Sequence, residues 1–340
     1  MCTISIVIPV YNKEQYLEEL FSDLLTQSFG DFECIIVDDG STDKSASLCD
    51  QVSEADKRFK VYHIANSGVS NARNYGMKIA CGEYLTFIDS DDRMHPDYLA
   101  NLLSCIKKSG ADMVIGNLAA FHGDEIKNIQ PRPVSYVGMH EWEDILPNFG
   151  KEQKKDGVFG WCVAKLMPHG LALKSSFSPE LKLAEDLDYY LGIYPHLKSV
   201  YFDDKPYYYY RQNALNSSML VADDQINYLA QFKLNLHMRD FFIECKCYSG
   251  ENRKFVDEQL SNYAFFTLFH APWTDLLKRY CVLKEFEIQN QIVLNGKRVI
   301  EKYVLFAFQI PVIIGIILLV TLLMPYRFFR CFRNIIKRVL

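Results

Sequence analysis

The stretch that decides the fold is Tyr84-Leu85-Thr86-Phe87-Ile88-Asp89-Ser90-Asp91-Asp92, a short apolar run that leads directly into carboxylates. An apolar run of this length, preceded by Gly82, predicts a strand that is buried on both faces. The Asp-x-Asp pattern on the following turn offers hard oxygen ligands, which suit Mg²⁺ or Mn²⁺ better than zinc. On these three residues alone, the alternative is that Asp91 and Asp92 cap a helix that begins near Pro96.

Outward from this stretch, the first third of the chain alternates strands with helices. Strands are predicted at 4–8, 34–37, 60–64, 84–88 and 113–116, the first two of them buried, with helices at 14–27, 71–80 and 96–109. This alternation predicts an α/β fold with a mostly parallel central sheet. Ligands bind beyond the carboxyl ends of the strands in such sheets, and Asp38 and Asp39 also follow a strand. The carboxylates gathered there repel one another unless a cation neutralises them.

Composition and missing motifs exclude several classes of function. The 340 residues carry 37 Lys and Arg against 42 Asp and Glu, so no overall basic excess favours a nucleic-acid partner. Neither G-x-G-x-x-G after the first strand nor G-x-x-x-x-G-K-[ST] occurs, which argues against dinucleotide oxidoreductases and P-loop NTPases. The ten scattered Cys predict free thiols in a reducing cytosol. Because no Lys or Arg precedes Lys13, we expect no secretory signal peptide.

The segment from Tyr303 to Met324 is nearly all apolar and long enough to cross a bilayer core, which takes about 20 residues. A basic amphipathic stretch follows it and suits anionic lipid headgroups. Basic residues flank the apolar segment on both sides, which disfavours a simple span. A kinked, re-entrant or surface-lying anchor is therefore an alternative, and so is a buried helix of the folded domain. We expect membrane association through this segment.

Four segments together identify a family. They are Ile6-Val7-Ile8-Pro9-Val10-Tyr11-Asn12, Val37-Asp38-Asp39-Gly40-Ser41-Thr42-Asp43, Asn66-Ser67-Gly68-Val69-Ser70-Asn71-Ala72-Arg73-Asn74, and Gly82 to Asp92. In this order and spacing they resemble the family 2 inverting glycosyltransferases with the GT-A fold, of the bacterial surface-polysaccharide type. The resemblance covers residues 3–118 and thins beyond them.

The resemblance implies a nucleotide-sugar pocket in the first third of the chain, formed by Pro9, Tyr11, Asn12, Asp39, Arg73 and Asp89. In such a pocket, Asp39 accepts a hydrogen bond from the uracil ring of a UDP-sugar. Asp91, with Asp89, binds Mn²⁺ or Mg²⁺. Arg73 lies near the nucleotide or its phosphates, although a salt bridge on a helix surface is the alternative for this residue.

The resemblance places the remaining site residues in the second half of the chain. Glu185-Asp186 resembles the family's Glu-Asp pair at a helix start, which implies that Asp186 is the catalytic base and that Glu185 supports it or binds the acceptor. The alternative is an acidic pair that the helix dipole favours. The resemblance places Trp161 where an aromatic ring stacks on a sugar, and the alternative is an ordinary core tryptophan. It places Arg211 where a cation approaches the diphosphate.

As a whole, the resemblance implies a metal-dependent inverting transfer from a UDP-sugar to a hydroxyl of a glycan or lipid-linked oligosaccharide. The apolar segment and the missing signal peptide place this activity at the cytoplasmic face of the cell membrane, as an expectation. Together, the resemblance and the residue patterns divide the chain into a nucleotide-sugar-binding half at 1–118, an acceptor-binding and catalytic half at 119–222, a helical region at 223–300 and a membrane-associating segment at 301–340. The alternatives are a polyprenyl-phosphate sugar synthase and a non-catalytic membrane-associated binding protein.

Overall fold

A computed structural model of the chain describes residues 2–123, 126, 129–212, 227–270 and 275–290. The chain forms two compact units, one of residues 1–221 with 244–247 and one of residues 222–243 with 248–340. The predicted membrane segment lies outside the described residues. Within the described ranges, no helix is both long and apolar enough to cross a membrane. The four-part division expected from the sequence stays a prediction.

The strands and helices follow one another in the order that the sequence predicts for an α/β chain. The strands are β1 Ile4–Val10, β2 Phe32–Asp38, β3 Phe59–His63, β4 Tyr84–Phe87, β5 Arg93–Met94, β6 Met113–Ile115, β7 Leu118–Phe121, β8 Gln130–Pro131, β9 Gly138–Glu141, β10 Lys165–Pro168, β11 Ser199–Phe202 and β12 Tyr208–Arg211. The helices are α1 Leu17–Leu25, α2 Ser45–Ala55, α3 Val69–Ile79, α4 Tyr98–Ser109, α5 Trp142–Ile145, α6 Phe149–Asp156, α7 His169–Ala172, α8 Glu185–Ile193, α9 Tyr228–Glu244, α10 Gly250–Phe269 and α11 Leu276–Asn290.

The main sheet of the first unit has the strand order β3-β2-β1-β4-β10-β6-β11-β9. Six of these strands run in one direction, and β10 and β9 run against them, which confirms the mostly parallel sheet. Every residue of β1 and β2 is buried because both faces of a parallel sheet are covered. The strands predicted from apolar runs are all present, whereas β9 and β10 have no such run and were not predicted.

A second, smaller sheet has the order β5-β12-β7-β8. Its strand β12 pairs antiparallel with β5 and parallel with β7. This pairing holds β12 beside the turn that follows β4, so the backbone N–H of Arg211 donates to the Asp92 carboxylate at 2.8 Å. Through this hydrogen bond, the small sheet holds the turn of residues 89–92 in place.

Helix α3 lies very close to strand β1. A Cβ atom added at Gly76 would lie 2.5 Å from the Cγ1 atom of Val7, so only glycine permits this approach. The helix begins after Gly68, whose φ of +92° also favours glycine. These two glycines place Arg73, in the middle of α3, at the carboxyl edge of the sheet.

The described part of the second unit contains helices α9, α10 and α11, which lie within the stretch 223–300 that the sequence predicts to be helical. Helices α10 and α11 pack against each other, and α10 buries Leu260, Ala264 and Leu268. The Tyr228 ring of α9 stacks on the Phe266 ring of α10, with ring centroids 5.4 Å apart. Apolar burial therefore holds this unit together.

Candidate active site

A cavity of about 660 Å³ opens at the carboxyl ends of β1, β2 and β4. It is lined by Pro9, Val10, Tyr11, Asn12, Lys13, Asp39, Asn66, Gly68, Val69, Arg73, Asp89, Ser90, Asp91, Glu185, Asp186, Tyr210 and Arg211. All of the site residues that the sequence predicted, with the exception of Trp161, line this cavity. Carboxylates from separate parts of the chain therefore share one cleft.

The turn after β1 and the turn after β2 hold each other in place. Asn12 adopts a φ of +50°, and its Oδ1 accepts the backbone N–H of Thr42 at 2.8 Å. Asp39, only 3% exposed, accepts the backbone N–H groups of Ser67 and Gly68 at 2.8 Å each. A carboxylate has about four lone-pair positions, so Asp39 keeps acceptor capacity for a ligand in the cavity. Its predicted contact with a uracil ring is compatible with this arrangement and stays a prediction.

Asp91 forms an ion pair with the ammonium of Lys13 in the cavity. Its Oδ2 lies 2.5 Å from the Nζ of Lys13, and the two side chains are 22% and 20% exposed. A partly exposed carboxylate that attracts a cationic atom, with a second carboxylate at Asp89, is a donor set that fits a hard divalent ion. Lys13 was not among the residues predicted from the sequence, although it follows Tyr11-Asn12 directly.

A different group of potential metal ligands lies at the amino ends of the strands. Cys2, Glu33 and Cys81 are the three-residue group whose ligand atoms fall within 4.8 Å of one another in the described part of the chain. Glu33 already accepts hydrogen bonds from Ser5 at 2.5 Å and from Lys60 at 2.6 Å, and these bonds lower its pKa to about 2 against the effect of burial. We interpret Glu33 as a hydrogen-bonding hub of the strand ends. The described cysteines are free thiols, as predicted.

Asp92 is buried and links the turn after β4 to strand β12. Its carboxylate accepts the Tyr208 hydroxyl at 2.7 Å and the Arg211 backbone N–H at 2.8 Å. Burial first, and then the charges of Asp91 and Asp89, raise the pKa of Asp92 well above that of an exposed carboxyl. The partners of Asp92 are on β12, so a helix-capping role, the alternative from the sequence, does not describe it.

Arg73 joins the two sides of the cavity. Its guanidinium donates to Asp89 at 2.9 Å, to Glu185 at 3.1 Å and to Asp186 at 2.7 Å, and its side chain is only 5% exposed. The alternative of a surface salt bridge is therefore wrong. The expected position near a nucleotide is compatible with the cavity lining, but the partners of the guanidinium in this structure are the three carboxylates.

Asp186 lies at the start of α8. The Arg73 guanidinium lies between Asp186 and Asp89 and pairs with both. Burial raises the pKa of Asp186 to about 8, although Arg73 acts in the opposite direction, and the neighbouring charges of Glu185 and Asp89 add to the rise. A carboxyl with a pKa near neutrality is suited to accept and release a proton. The simpler interpretation, an acidic pair that only serves the helix dipole, does not account for these contacts with Arg73.

Contacts between α3 and the loop before α8 set the position of Asp186. Asn74 donates to the Phe177 carbonyl and accepts the Phe177 N–H, both at 2.8 Å. The Phe177 ring stacks on Tyr189 of α8, with centroids 4.1 Å apart, and lies edge-on to Phe87 of β4. Asn74 belongs to the third motif but was not among the predicted site residues. Its position directly after Arg73 in that motif is the sequence signal that would have indicated it.

Lys165 is fully buried beside Trp161 and Tyr190. Its buried ammonium donates to the Trp161 carbonyl and lies 4.1 Å from the centroid of the Tyr190 ring. Burial lowers the pKa of Lys165 to about 7, and the neighbouring Cys162 and Asp186 oppose this shift.

Two predicted residues take positions that the sequence did not indicate. The structure does not bring Trp161 to the main cavity, since its ring stacks under the Arg132 guanidinium at 4.2 Å and lines a separate cavity of about 30 Å³. Arg211 touches the main cavity, but its guanidinium is 1% exposed and donates to the Asp91 carbonyl at 2.8 Å and to Glu19 at 2.6 Å. Arg211 therefore holds the Asp91 turn in place in this structure.

The fold and the cleft define an α/β domain of the kind that binds ligands at the carboxyl edge of a parallel sheet. Residues 5–167 match the family described as "Glycosyl transferase family 2", so this part of the chain is a glycosyl transferase family 2 domain. The match confirms the resemblance that the four motifs gave.

Two relatives and one solved structure illustrate the similarity. The chain is 42% identical over 115 residues to Glycosyltransferase GlyG of Streptococcus pneumoniae, which is 34% of this chain and 38% of that protein. It is 28% identical over 215 residues to Uncharacterized glycosyltransferase EpsJ of Bacillus subtilis, 62% of this chain and 61% of that protein. The crystal structure of S. aureus TarS 1-349 in complex with UDP-GlcNAc has a TM-score of 0.61 and 19% identity, over 96% of this chain and 91% of that one.

The structural likeness to TarS confirms the predicted GT-A-type fold. The chain spans less than two thirds of the length of the curated relatives named here, namely 38% and 61%. The family match holds for residues 5–167, and the likeness to TarS supports the fold. Because the relatives are covered only in part, the reaction of this chain is a proposal.

Proposed function

We propose that this chain is an inverting glycosyltransferase that moves a monosaccharide from a nucleotide-diphosphate sugar, with UDP as the nucleotide, to a hydroxyl of a glycan or lipid-linked saccharide. The observation that carries the proposal is the placement of Asp186 in the same cleft as Asp89 and Asp91, joined to Asp89 by the Arg73 guanidinium at 2.7 and 2.9 Å. This arrangement supplies a base on one side and a diphosphate position on the other, as an in-line displacement requires.

In the proposed reaction, the acceptor hydroxyl transfers its proton to an oxygen of the Asp186 carboxylate. The hydroxyl oxygen forms a bond to the anomeric carbon as the bond between that carbon and the diphosphate oxygen breaks. The bonding electrons leave with the nucleoside diphosphate, and the configuration inverts. Arg73 orients Asp186 through its 2.7 Å hydrogen bond and keeps Glu185 beside it.

We further propose that Asp91 and Asp89 hold Mn²⁺ or Mg²⁺ together with the donor. A divalent ion there supplies positive charge that stabilises the departing diphosphate. The hard oxygen donors and the cation attraction of Asp91 support this assignment. The buried Asp92 carboxylate keeps the turn in shape through Tyr208 and Arg211.

The proposal is tested by calorimetric titration of UDP with and without Mn²⁺, followed by transfer or hydrolysis assays with UDP-sugars and GDP-sugars. Asp91→Asn is expected to weaken UDP binding mainly when Mn²⁺ is present. Asp186→Asn is expected to leave UDP binding nearly intact and to lower turnover about 100-fold or more, the usual worth of a general base.

The possible results separate the proposal from its alternatives. A non-catalytic binding protein predicts UDP binding without any hydrolysis or transfer, and with no effect of Asp186→Asn. A polyprenyl-phosphate sugar synthase predicts transfer to a phosphate acceptor that tolerates Asp186→Asn, because a phosphate oxygen needs little deprotonation. Mn²⁺-independent UDP binding in the wild-type protein would contradict the assignment of Asp91.

Attachment to the cytoplasmic face of the cell membrane is part of the proposal and is supported by the apolar run 303–324 and the basic stretch after it. Deletion of the chain after Lys302 is expected to move the protein from the membrane fraction to the supernatant. Retention of the shortened chain on membranes would show that other residues attach it.

A further inference from the structure

Lys13 reaches the same carboxylate, Asp91, that the proposed function assigns to a divalent cation. Its Nζ lies 2.5 Å from the Oδ2 of Asp91, across the mouth of the cavity. Both side chains are about one-fifth exposed, so water and ions reach this pair. Two cations do not share one carboxylate oxygen at contact distance without strong repulsion. A metal ion that binds the Oδ2 of Asp91 therefore displaces the ammonium.

The backbone of Lys13 is fixed, so a displacement involves the side chain alone. The backbone N–H of Lys13 donates to the Ser45 hydroxyl at 2.7 Å. The preceding Asn12 is tied on both sides, since its N–H donates to Ser41 at 3.0 Å and its Oδ1 accepts from Thr42. The four-carbon stem of a lysine is flexible, and its ammonium has three donors that suit phosphate oxygens.

The charge around this pair favours such an exchange. Asp89 and Asp91 line the cavity, and Asp92 lies directly behind them. A diphosphate carries further negative charge, so this edge repels it unless a cation stands between them. Lys13 and a divalent ion are both positioned to provide that charge, and the diphosphate offers the ammonium a new partner when it leaves Asp91.

We propose that Lys13 is an exchangeable counter-ion, which pairs with Asp91 as long as no metal is bound there and moves to the donor's diphosphate when a divalent cation takes Asp91. This inference rests on the proposed function, because it takes a nucleoside diphosphate and a divalent ion as the ligands. Lys13 thereby competes with the metal before the donor binds and replaces part of the lost positive charge afterwards.

The test measures Mn²⁺ binding to the full chain by electron paramagnetic resonance of the free ion, without nucleotide. Lys13→Met is expected to bind Mn²⁺ about two- to fivefold more tightly, within the range set by a partly exposed ion pair. In the same variant, calorimetry at saturating Mn²⁺ is expected to show weaker UDP binding, because the ammonium that moves to the diphosphate is missing. Lys13→Arg keeps the charge and is expected to retain a Mn²⁺ affinity close to that of the wild type.

Lys44→Met is the matched control, because this exposed lysine is on the neighbouring turn and its loss changes the net charge equally. It is expected to leave the Mn²⁺ affinity close to that of the wild type. An equal rise in Lys44→Met and Lys13→Met would show a general field effect and overturn the inference.

Unchanged or weaker Mn²⁺ binding in Lys13→Met, with Mn²⁺-dependent UDP binding in the wild type, would overturn the role of Lys13 and leave the proposed function intact. If UDP binding in the wild type does not depend on Mn²⁺, the metal-dependent function fails, and this inference fails with it. Circular dichroism of each variant shows whether the fold is retained.

Discussion

Replacement of Arg73 by Met leaves Asp89, Glu185 and Asp186 without the guanidinium that they share. Loss of one partner from a buried ion pair costs about 3–5 kcal/mol. The three carboxylates are 14–31% exposed, so water offsets part of this loss, and we expect about 3 kcal/mol. Urea denaturation of the full chain at pH 8 measures this change in the free energy of unfolding.

The cost of Arg73→Met is expected to depend on pH with a definite sign. The pKa of Asp186 is about 8 in the folded protein, against 3.8 for an ordinary Asp, so the folded state binds more protons between these values. Stability then falls as the pH rises toward 8. Without Arg73, which lowers the pKa of Asp186, that pKa rises further, so the fall in stability continues to a higher pH. The destabilisation by Arg73→Met is therefore expected to be larger at pH 8 than at pH 5.

The control is Arg58→Met, whose guanidinium pairs with Asp56 at 2.7 Å but is 29% exposed, and we expect a cost below about 1 kcal/mol. A double-mutant cycle of Arg73→Met with Asp186→Asn is expected to show a coupling of about 1–2 kcal/mol. A cost of Arg73→Met that is equal at pH 5 and pH 8, or no larger than that of Arg58→Met, would refute the reasoning.

Two further predictions concern the base and the packing of α3. The kcat/KM of transfer is expected to rise with pH up to about 8, because Asp186 must lose its proton before it can act as the base. Glu185→Gln removes a neighbouring negative charge, so it is expected to shift this rising part of the pH profile to lower pH. A shift to higher pH would contradict the assignment of Asp186. Gly76→Ala is expected to destabilise the fold by about 1–3 kcal/mol through the contact with Val7, whereas Gly170→Ala, which has open space around it, is expected to be nearly neutral in thermal unfolding.

The sequence and the structure agree best where the information is local. The apolar runs at β1, β2 and β4 predict buried strands, because only strands covered on both faces tolerate a continuous apolar pattern. The short strands β9 and β10 and the pairing of β12 depend on partners distant in the chain, so no local pattern indicated them. This difference accounts for the missed small sheet.

The candidate site shows the same division. The motif spacing placed Asp39, Asp89 and Asp91 at one edge, because parallel strands end there together. The orientation of Arg73 toward Glu185 and Asp186 required a contact across 112 and 113 residues of sequence, which no motif states. The position of Trp161 outside the main cavity is likewise a consequence of tertiary packing.

By itself, the sequence determined that this chain folds around a parallel sheet and collects acidic side chains at one end of it, because strand direction and turn chemistry are written in neighbouring residues. Only the tertiary structure decided which charges neutralise which. Arg73 pairs with Asp186, Lys13 with Asp91, and Arg211 with the backbone of the Asp91 turn, because such pairs form between groups that are near in space and far apart in the chain.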